Sequence, residues 1–220
     1  MITLNEAKVH GWEAALHGMR NAMNSWKMSD TVWAWKIDGS PEIGKRDMDL
    51  MERLVKAGSD HRKFLRFLTV TVNITAPLYW WKEFDTYKVG TVANSCSTMH
   101  KIHAKEFTLD DFSHEHLIDC DTPDGKTVGW RLSLEAIVNI LNAARIAYLE
   151  TKDKTFWWQM IQLLPASYNQ TRTVLLNYEV LRNMYHARKN HKLDEWHTFC
   201  RWVEDLPYAD HLITSKGDAG

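Results

Sequence analysis

The chain has 220 residues, of which 45% are hydrophobic and 25% are charged, and its formal net charge at pH 7 is −1. A chain of this length can bury a sizeable core. Because a near-neutral chain has no global basic field, we expect no extended nucleic-acid binding, although a local cationic pocket is compatible with this balance.

Cysteine content and hydropathy indicate the compartment. The three cysteines are odd in number and far apart in the sequence, which argues against a disulfide framework and for a reducing environment. Residues 1–16 lack the continuous apolar core of a signal peptide. The sequence also contains no run of eighteen apolar residues. We therefore expect a cytoplasmic protein without a membrane partner.

The first part of the chain changes from a helical to an extended pattern. Apolar residues at helical spacing predict a helix over 10–28 and a second helix over 47–57, closed by Gly58. Residues 64–74 are β-branched and aromatic with partial alternation, which predicts a strand that is at least half buried.

The middle of the chain is less regular. Pro77 is well placed to begin a helix, and the pattern that follows predicts this helix over 78–89, with Gly90 closing it. Residues 91–102 are small and polar, which indicates a loop leading into a further helix or strand. Residues 107–130 have turn signals but no sustained period, so we expect a surface excursion there.

The C-terminal part has a helical pattern throughout. Ser133 is expected to open a helix over 133–150, and a shorter helix is expected to end at Pro165. We find no persuasive linker, so the sequence predicts a single domain over 1–220 with a disordered tail at 215–220.

The stretch 164–196 has the pattern of an amphipathic helix. Asn177, Asn183 and Arg188 lie in it at intervals of six and five residues. On a straight helix of 3.6 residues per turn, an interval of six residues places the two asparagines on different sides, about 120° apart. No single core contact accounts for all three polar residues, and the pattern is typical of a ligand site built between subunits.

The same stretch resembles the C-terminal part of the flavin-dependent thymidylate synthases. That family has Leu-Pro, a tyrosine shortly after, two asparagines six residues apart, an arginine five residues further and a tryptophan at the start of the last helix. This order is reproduced, with single-residue slips, by Leu164, Pro165, Tyr168, Asn177, Asn183, Arg188 and Trp196. The resemblance implies that the asparagines lie against a flavin and that the arginine binds the nucleotide phosphate.

Residues 50–77 are similar to the helix–strand unit of that family, but its signature motifs are altered here. The family's Arg-His-Arg corresponds to Thr86-Tyr87-Lys88, its Arg-Tyr to Met99-His100, and its arginine between the two asparagines to Glu179. These departures indicate a divergent relative.

The resemblance assigns two sets of residues: Tyr87, Lys88, Asn94, Asn177 and Asn183 to the cofactor, and Ser95, Ser97 and Arg188 to the substrate. Plainer interpretations stay open. Arg188 would also suit a basic helix end that complements the helix dipole. Lys88 would also suit a solvated charge, and the serines ordinary loop positions. No residue is assigned as catalytic.

The resemblance implies an α+β fold with a central, mostly antiparallel sheet flanked by helices, assembled as a homotetramer with sites shared between chains. The implied reaction transfers a one-carbon unit to C5 of a deoxyuridine nucleotide. It would use FAD, with NADPH and methylenetetrahydrofolate as co-substrates. The altered motifs keep a second hypothesis open: a nucleotide-binding or nucleotide-sequestering protein on the same scaffold that has lost flavin.

Other kinds of site have less support. Cys96 has no adjacent base, and the flavin-dependent family does not use a cysteine nucleophile. The histidines and the cysteine between 100 and 120 do not match the ligand spacing of a closed zinc site, so we predict no metal. The sequence contains no Gly-x-Gly-x-x-Gly or Walker pattern, which argues against a Rossmann or P-loop nucleotide site.

Overall fold

The computed structural model of the chain describes residues 2–34 and 36–215. The strands in these ranges are β1 (Thr3–His10), β2 (Thr69–Pro77), β3 (Val92–Ser95), β4 (Asp119–Asp121), β5 (Thr127–Gly129) and β6 (Asn169–Asn177). The α-helices are α1 (Trp12–Arg20), α2 (Lys45–Lys56), α3 (Leu78–Phe84), α4 (Thr98–Lys101), α5 (Trp130–Thr151), α6 (Lys154–Leu163), α7 (Tyr178–Arg188), α8 (Asp194–Glu204) and α9 (Ala209–Leu212).

The strands of these described ranges form a four-stranded sheet in the order β1-β2-β6-β3 and a separate hairpin of β4 and β5. The hairpin is antiparallel, and its register pairs Asp119 with Gly129. Helices combined with an antiparallel sheet make an α+β fold, so the predicted fold class is confirmed.

The chain divides into two compact units. One contains Thr75–Phe84 and Ser95–Arg172, and the other contains Ile2–Ile74, Asp85–Asn94 and the described residues from Thr173 onward. The single domain over 1–220 stays a prediction. The disordered tail expected at 215–220 lies, apart from Ser215, outside the described residues.

The core of the first unit lies where α5 packs on α6. Its buried members are Ile102, Phe107, Phe112, Leu134, Val138, Leu141, Ala144 and Met160. The two aromatic residues of this core, Phe107 and Phe112, belong to the segment 107–130. This segment therefore contributes to the core as well as to the surface. The rest of the segment includes the β4–β5 hairpin, which turns at Gly125 with a φ of +80°.

Helix α5 begins three residues before the predicted start at Ser133, whose hydroxyl instead donates to the carbonyl of Gly129. By length and composition alone, α5 would be able to cross a bilayer, and 22% of its most apolar window is buried. The same helix contributes Leu134 and Leu141 to the core of its unit. The expectation of no membrane partner therefore stays a prediction.

The predicted N-terminal helix over 10–28 is too long. Helix α1 ends at Arg20, and two short 3-10 helices follow, separated by Asn24 with a φ of 49°. Gly11 precedes α1 with a φ of 91°, and a Cβ there would lie 2.0 Å from the carbonyl oxygen of Phe67. Only glycine permits this close approach of two backbones.

Strand β1 was not predicted, because in it only Val9 is buried and no alternation of apolar and polar residues results. Strand β2 begins at Thr69 rather than at residue 64, since Lys63–Arg66 form a 3-10 helix. Within β2, buried and half-buried residues alternate strictly up to Ala76, as expected for a strand covered more on one face.

The predicted helix over 78–89 is also too long. Helix α3 ends at Phe84, so Gly90 does not cap it. The predicted helix over 47–57 is confirmed as α2, and Gly58 follows it with a φ of +100°. The predicted short helix before Pro165 is confirmed as α6.

The prediction of one amphipathic helix over 164–196 is wrong. The stretch is strand β6 followed directly by helix α7, and α8 begins at Asp194. In β6 the side chains of Gln170, Val174 and Leu176 are buried at even spacing, which is the period of a strand. Asn177 thus precedes the helix that carries Asn183 and Arg188, and the argument from one straight helix does not hold.

Candidate functional site

The N-terminus of α7 is capped by Asn177. Its backbone is extended (φ −126°, ψ 165°), and its Oδ1 accepts a hydrogen bond from the backbone N–H of Val180 at 3.0 Å. A side chain that satisfies one of the first N–H groups of a helix stabilises it by about 1 kcal/mol. Asn177, one of the two asparagines predicted to contact a flavin, therefore already uses its side-chain oxygen to cap α7.

Arg188, at the last position of α7, is held by two aromatic side chains. Its Nε donates a hydrogen bond to the Tyr87 hydroxyl at 2.9 Å. Its guanidinium carbon lies 4.9 Å from the ring centre of Trp196 and 5.5 Å from that of Tyr87. Cation–π contacts of this kind contribute about 0.5–2 kcal/mol each. The structure thus brings together Tyr87, predicted for the cofactor, and Arg188, predicted for the substrate.

The end of α7 has a local positive charge. Lys189 and Lys192 follow Arg188 in the sequence, and both are exposed, as is Lys88 next to Tyr87. The helix dipole itself adds a partial negative charge at this end, which favours cationic side chains. Lys88, Lys189 and Lys192 are therefore exposed positive charges close in sequence to Tyr87 and Arg188, in a chain whose net charge is near zero.

The loop before β3 lies against the N-terminal end of α7. Gly90 has a φ of +78°, and a Cβ there would approach the Asn177 Nδ2 to 2.7 Å and the Val180 Cγ2 to 3.0 Å. Tyr87 of the same loop contacts Arg188 at the other end of the helix. The loop thus contacts both ends of α7, at Gly90 through its backbone and at Tyr87 through its side chain.

Three of the predicted cofactor residues take no part in the contact between Tyr87 and Arg188. Lys88, Asn94 and Asn183 are exposed. Because Asn183 precedes Arg188 by five residues on α7, their side chains point about 140° apart around the helix axis. Their exposed ammonium and carboxamide groups retain the capacity to bind a ligand, and their assignment to the cofactor stays a prediction.

Ser95 and Ser97 lie in the first unit, at the turn between β3 and α4. Ser97 caps α4 by accepting a hydrogen bond from the backbone N–H of His100 at 3.1 Å. Between the serines, the N–H of Cys96 donates to the carbonyl oxygen of Thr171 at 2.9 Å. Both serines are exposed, and their assignment to the substrate stays a prediction.

Gln170 fixes this turn from the neighbouring strand β6, a role that the sequence did not indicate. Its Nε2 donates to the Cys96 carbonyl oxygen at 3.0 Å, and its Oε1 accepts from the Arg172 Nε at 3.0 Å. The Arg172 guanidinium in turn lies 4.2 Å from the centre of the Trp81 ring. Gln170 is buried, and a buried amide must find hydrogen-bond partners. The sequence NQTRTVLLN of β6 gave no signal for this role, because Gln170 stands there among other polar residues.

Thiol and metal chemistry have no built site among the described residues. Within residues 2–34 and 36–215, no group of three or more His, Cys, Asp or Glu side chains is placed to hold a metal ion. Burial raises the pKa of the Cys200 thiol to about 11, which keeps it protonated at neutral pH.

Comparison with known proteins identifies the architecture. No protein-family model and no curated protein matches the chain. Among solved structures, flavin-dependent thymidylate synthase ThyX from Helicobacter pylori, complexed with FAD and dUMP, matches with a TM-score of 0.67 and 17% identity, covering 96% of this chain and 98% of that one. The fold is that of the flavin-dependent thymidylate synthases.

Two further structures have the same fold. A second Helicobacter pylori ThyX structure, with FAD and dUMP, matches with a TM-score of 0.65 and 16% identity over 97% of this chain and 96% of that one. The UMP/dUMP methylase PolB from Streptomyces cacaoi, bound with 5-Br dUMP, matches with a TM-score of 0.59 and 12% identity over 96% of this chain and 92% of that one. At these identities the likeness establishes the ThyX-like fold alone.

On this ThyX-like fold, Glu179 stands where the resemblance places an arginine between the two asparagines. Its carboxylate accepts from the Arg62 Nε at 2.9 Å and from the Arg62 Nη2 at 3.1 Å. Both side chains are largely buried, with 10% and 16% of their surfaces exposed. The charge at this position is thus reversed and neutralised internally, which explains how the helix accommodates a carboxylate there.

Proposed function

We propose that the chain is a flavin-dependent enzyme that transfers a one-carbon unit to C5 of a deoxyuridine nucleotide. The observation that carries the proposal is the Arg188 guanidinium, held between Tyr87 and Trp196 at the end of α7. It stands on a fold shared along 96% of the chain with a protein bound to FAD and dUMP.

Arg188 is proposed to bind the nucleotide phosphate. The planar guanidinium fork matches two phosphate oxygens, and such charge-assisted hydrogen bonds are about twice as strong as neutral ones. Because the Tyr87 hydroxyl and the Trp196 ring already orient the group, less side-chain entropy is lost when the phosphate binds. The exposed Lys88, Lys189 and Lys192 add to the positive potential that attracts a nucleotide.

The donor groups of the predicted cofactor residues fit a flavin nucleotide. Lys88 offers an ammonium group for a phosphate, and Asn94 and Asn183 offer exposed carboxamides for the ring edge. Asn177 fits through its Nδ2 alone, because its Oδ1 accepts from Val180. Bound FAD would supply the redox chemistry and carry the one-carbon unit, with NADPH as reductant and methylenetetrahydrofolate as carbon donor.

The remaining parts of the proposal concern the substrate loop and the assembly. Ser95 and Ser97 are proposed to hydrogen-bond the pyrimidine or its phosphate, and the Ser97 hydroxyl can still donate while it accepts from His100. We further propose a cytoplasmic homotetramer with sites shared between chains.

A second candidate function is nucleotide binding without flavin. Its specific support is the contact between Tyr87 and Arg188, since Tyr87 stands where the resemblance places a histidine of the signature motif. A tyrosine engaged with the nucleotide-binding arginine leaves Lys88 as the single cation of that motif, and one ammonium binds a phosphate without the geometry of a guanidinium fork.

The test of the flavin is the absorbance spectrum of the purified protein together with a thermal-shift screen. If the proposal holds, the protein shows flavin bands, releases FAD on denaturation and is stabilised by dUMP. A ligand at a hundred times its Kd stabilises by about 2.7 kcal/mol. A colourless protein that nucleotides stabilise and FAD does not would establish the second candidate. A protein that neither ligand stabilises would contradict both.

The test of Arg188 is its replacement. Arg188→Ala is expected to weaken dUMP binding by roughly 1.5–3 kcal/mol, the range of a hydrogen bond to a charged group, as measured by isothermal titration calorimetry. Arg188→Lys keeps the charge without the fork and should fall between Arg188→Ala and the unchanged chain. The control is Lys192→Ala, an exposed charge on the same segment, which should lower affinity by less. Unchanged affinity in a folded Arg188→Ala protein would remove Arg188 from the site.

A further inference from the structure

Where strand β1 leads into helix α1, the chain forms a cavity that the proposed nucleotide site does not use. The volume of this cavity is about 750 Å³, and its wall is more apolar than polar. It is lined by the eight consecutive residues 7–14 and by residues 37–39, all of which belong to one compact unit. Cavities of about 300–1,000 Å³ with a few polar groups on an apolar wall are typical of sites for small organic ligands.

One wall of the cavity is a tight turn that its own hydrogen bonds hold in place. The N–H of Gly39 donates to the carbonyl oxygen of Lys36 at 3.0 Å. The Asp38 Oδ1 accepts from the N–H and from the hydroxyl of Ser40, at 2.9 and 2.7 Å. The Lys36 ammonium donates to the Tyr208 hydroxyl at 2.8 Å. Because this wall is formed before a ligand binds, little ordering entropy is lost on binding.

The apolar part of the wall combines buried side chains with one that the fold leaves uncovered. Val9 and Trp12 are buried, and the Trp12 ring is fixed by edge-to-face contacts with Tyr178 and Tyr208, at centroid distances of 6.0 and 5.6 Å. Ile37, in the turn, is fully exposed. A ligand with an apolar body would remove the surface of Ile37 from water, which favours binding.

Charged and polar groups of both kinds line the same cavity. Lys8 and His10 are two positions apart on β1 and therefore lie on the same face of the strand. The carboxylates of Glu13 and Asp38 come from α1 and from the turn. Among the described residues, no hydrogen bond or ion pair joins the side chain of Lys8, His10 or Glu13 to another group. A ligand of one sign would meet a like charge here, whereas a zwitterion finds a partner for each of its ends.

The position of β1 favours a peptide among the possible zwitterions. Strand β1 stands at one edge of the described four-stranded sheet. An edge strand has a row of backbone N–H and C=O groups without a partner strand, and an extended peptide pairs with such a row. Residues 7–10 of β1 line the cavity. A peptide would therefore find main-chain partners there in addition to the charged side chains, and a free amino acid has no peptide group to pair.

We propose that this cavity, the β1–α1 cavity, binds a short zwitterionic peptide of two or three residues with apolar side chains. The terminal ammonium group of the peptide lies at the carboxylates of Glu13 and Asp38. Its terminal carboxylate accepts hydrogen bonds from Lys8 and His10. Its apolar side chains cover Ile37.

The experiment titrates the full-length protein with the dipeptide leucyl-phenylalanine in a calorimeter. The N-acetylated dipeptide lacks the ammonium group and the dipeptide amide lacks the carboxylate, so each should bind at least about fivefold more weakly than the free dipeptide. No binding of the free dipeptide, or equal binding of all three compounds, would overturn the inference. Leucine that binds as tightly as the dipeptide would overturn the peptide as occupant.

Substitutions match each end of the dipeptide with its partner. Asp38→Asn keeps an acceptor for Ser40 and should weaken the free dipeptide about fivefold, with no effect on the N-acetylated one. Lys8→Ala should weaken the free dipeptide to a similar extent, with no effect on the amide. The control is Lys56→Ala, an exposed cation at the end of α2, which should change the binding of none of them. A variant that weakens all three compounds equally would overturn the assignment of its end of the peptide.

The inference goes beyond the proposed nucleotide function and does not depend on it, because neither Tyr87 nor Arg188 lines the cavity. A protein that binds dUMP and not the dipeptide would overturn the β1–α1 cavity as a peptide site and leave the nucleotide site standing. A protein that binds the dipeptide, but neither FAD nor dUMP, would do the reverse.

Discussion

The Asp47 carboxylate is fully buried and accepts hydrogen bonds from the side chains of three residues. Its Oδ1 accepts from the Arg20 Nε at 2.7 Å, and its Oδ2 accepts from the hydroxyls of Ser29 and Thr31 at 2.7 and 2.6 Å. Burial raises the pKa of this carboxyl, but the hydrogen bonds from Thr31, Ser29 and Arg20 outweigh it and lower the pKa below its ordinary value of 3.8.

Asp47→Asn is therefore expected to destabilise the protein by roughly 3–5 kcal/mol at neutral pH, because Arg20 loses its buried partner. A carboxyl whose pKa is lower in the folded state contributes stability above its unfolded pKa and loses it as the pH falls through the folded value. The difference in the free energy of unfolding between wild type and Asp47→Asn should thus shrink below pH 3.8. Urea titrations of both proteins at a series of pH values measure this difference in the free energy of unfolding.

The control for Asp47 is Asp49→Asn on the same helix. Asp49 pairs with Arg53, and these side chains are 64% and 67% exposed, so removal of the pair should cost about 1 kcal/mol or less. Equal effects of the two substitutions would contradict the stabilising role of the buried network.

The spacing of residues in the sequence indicated Tyr87 and Arg188 as site residues, but it did not predict that their side chains contact each other. The two residues are 101 positions apart, and each lies in a segment whose local pattern was misread. The spacing of Asn177, Asn183 and Arg188 matches a sequence motif, but it does not determine the backbone conformation of the segment that carries them. Asn177 is compatible both with a helix interior and with an N-cap, and the cap is the position that this residue type prefers.

At the scale of elements, strand β6 is the part that sequence periodicity misassigned, whereas the helix predicted for the following residues is present as α7. The segment TRTVLLN has β-branched residues, yet its two leucines also suit a helix, and short apolar runs do not distinguish the two. Tertiary contacts decide: the Thr171 hydroxyl is hydrogen-bonded to that of Thr75 at 2.7 Å, and such a pairing has no local signal. Helices α2 and α6 were found because their apolar period is sustained.

The loop at Gly90 supplies a prediction at this scale. A Cβ at Gly90 meets Asn177 Nδ2 at 2.7 Å and Val180 Cγ2 at 3.0 Å, whereas a Cβ at Gly125 meets nothing within 4 Å. The two glycines have nearly the same φ, +78° and +80°. Gly125→Ala should therefore cost about 1–2 kcal/mol for the left-handed backbone alone, and Gly90→Ala about 1–3 kcal/mol more for the crowding.

Chemical denaturation of the two glycine variants measures this difference. Since the backbone conformation is matched, the excess at Gly90 reports the packing of the loop on the start of α7. Equal losses of stability would mean that the loop does not rest on α7 in solution.

For the whole molecule, the resemblance predicted the fold class although the boundaries of several elements were wrong. The reason is that the resemblance rests on side chains at fixed intervals, and these intervals persist whether the segment between them is helix or strand. The altered residues are the part that only the structure explains. Glu179 is neutralised by Arg62, a residue 117 positions away, which no local pattern links to it.

Charge is the property of the whole molecule that limits its partners. The chain has 27 Lys and Arg against 28 Asp and Glu, so its cationic residues do not add up to a basic surface field. Non-specific binding of duplex DNA depends on the release of many counterions by many cationic contacts. A group such as Lys88, Arg188, Lys189 and Lys192 is of a size to bind one nucleotide.

We therefore expect no retention of a duplex DNA in a gel-shift assay at about 0.15 M salt, a concentration that screens scattered charges beyond about 8 Å. The same protein should still bind dUMP at that salt, and an excess of duplex should not displace it, because a single phosphate contact has a small salt dependence. Retention of DNA with a steep salt dependence would mean that the cationic residues act as an extended surface, and the assignment of Arg188 to one nucleotide phosphate would then fail.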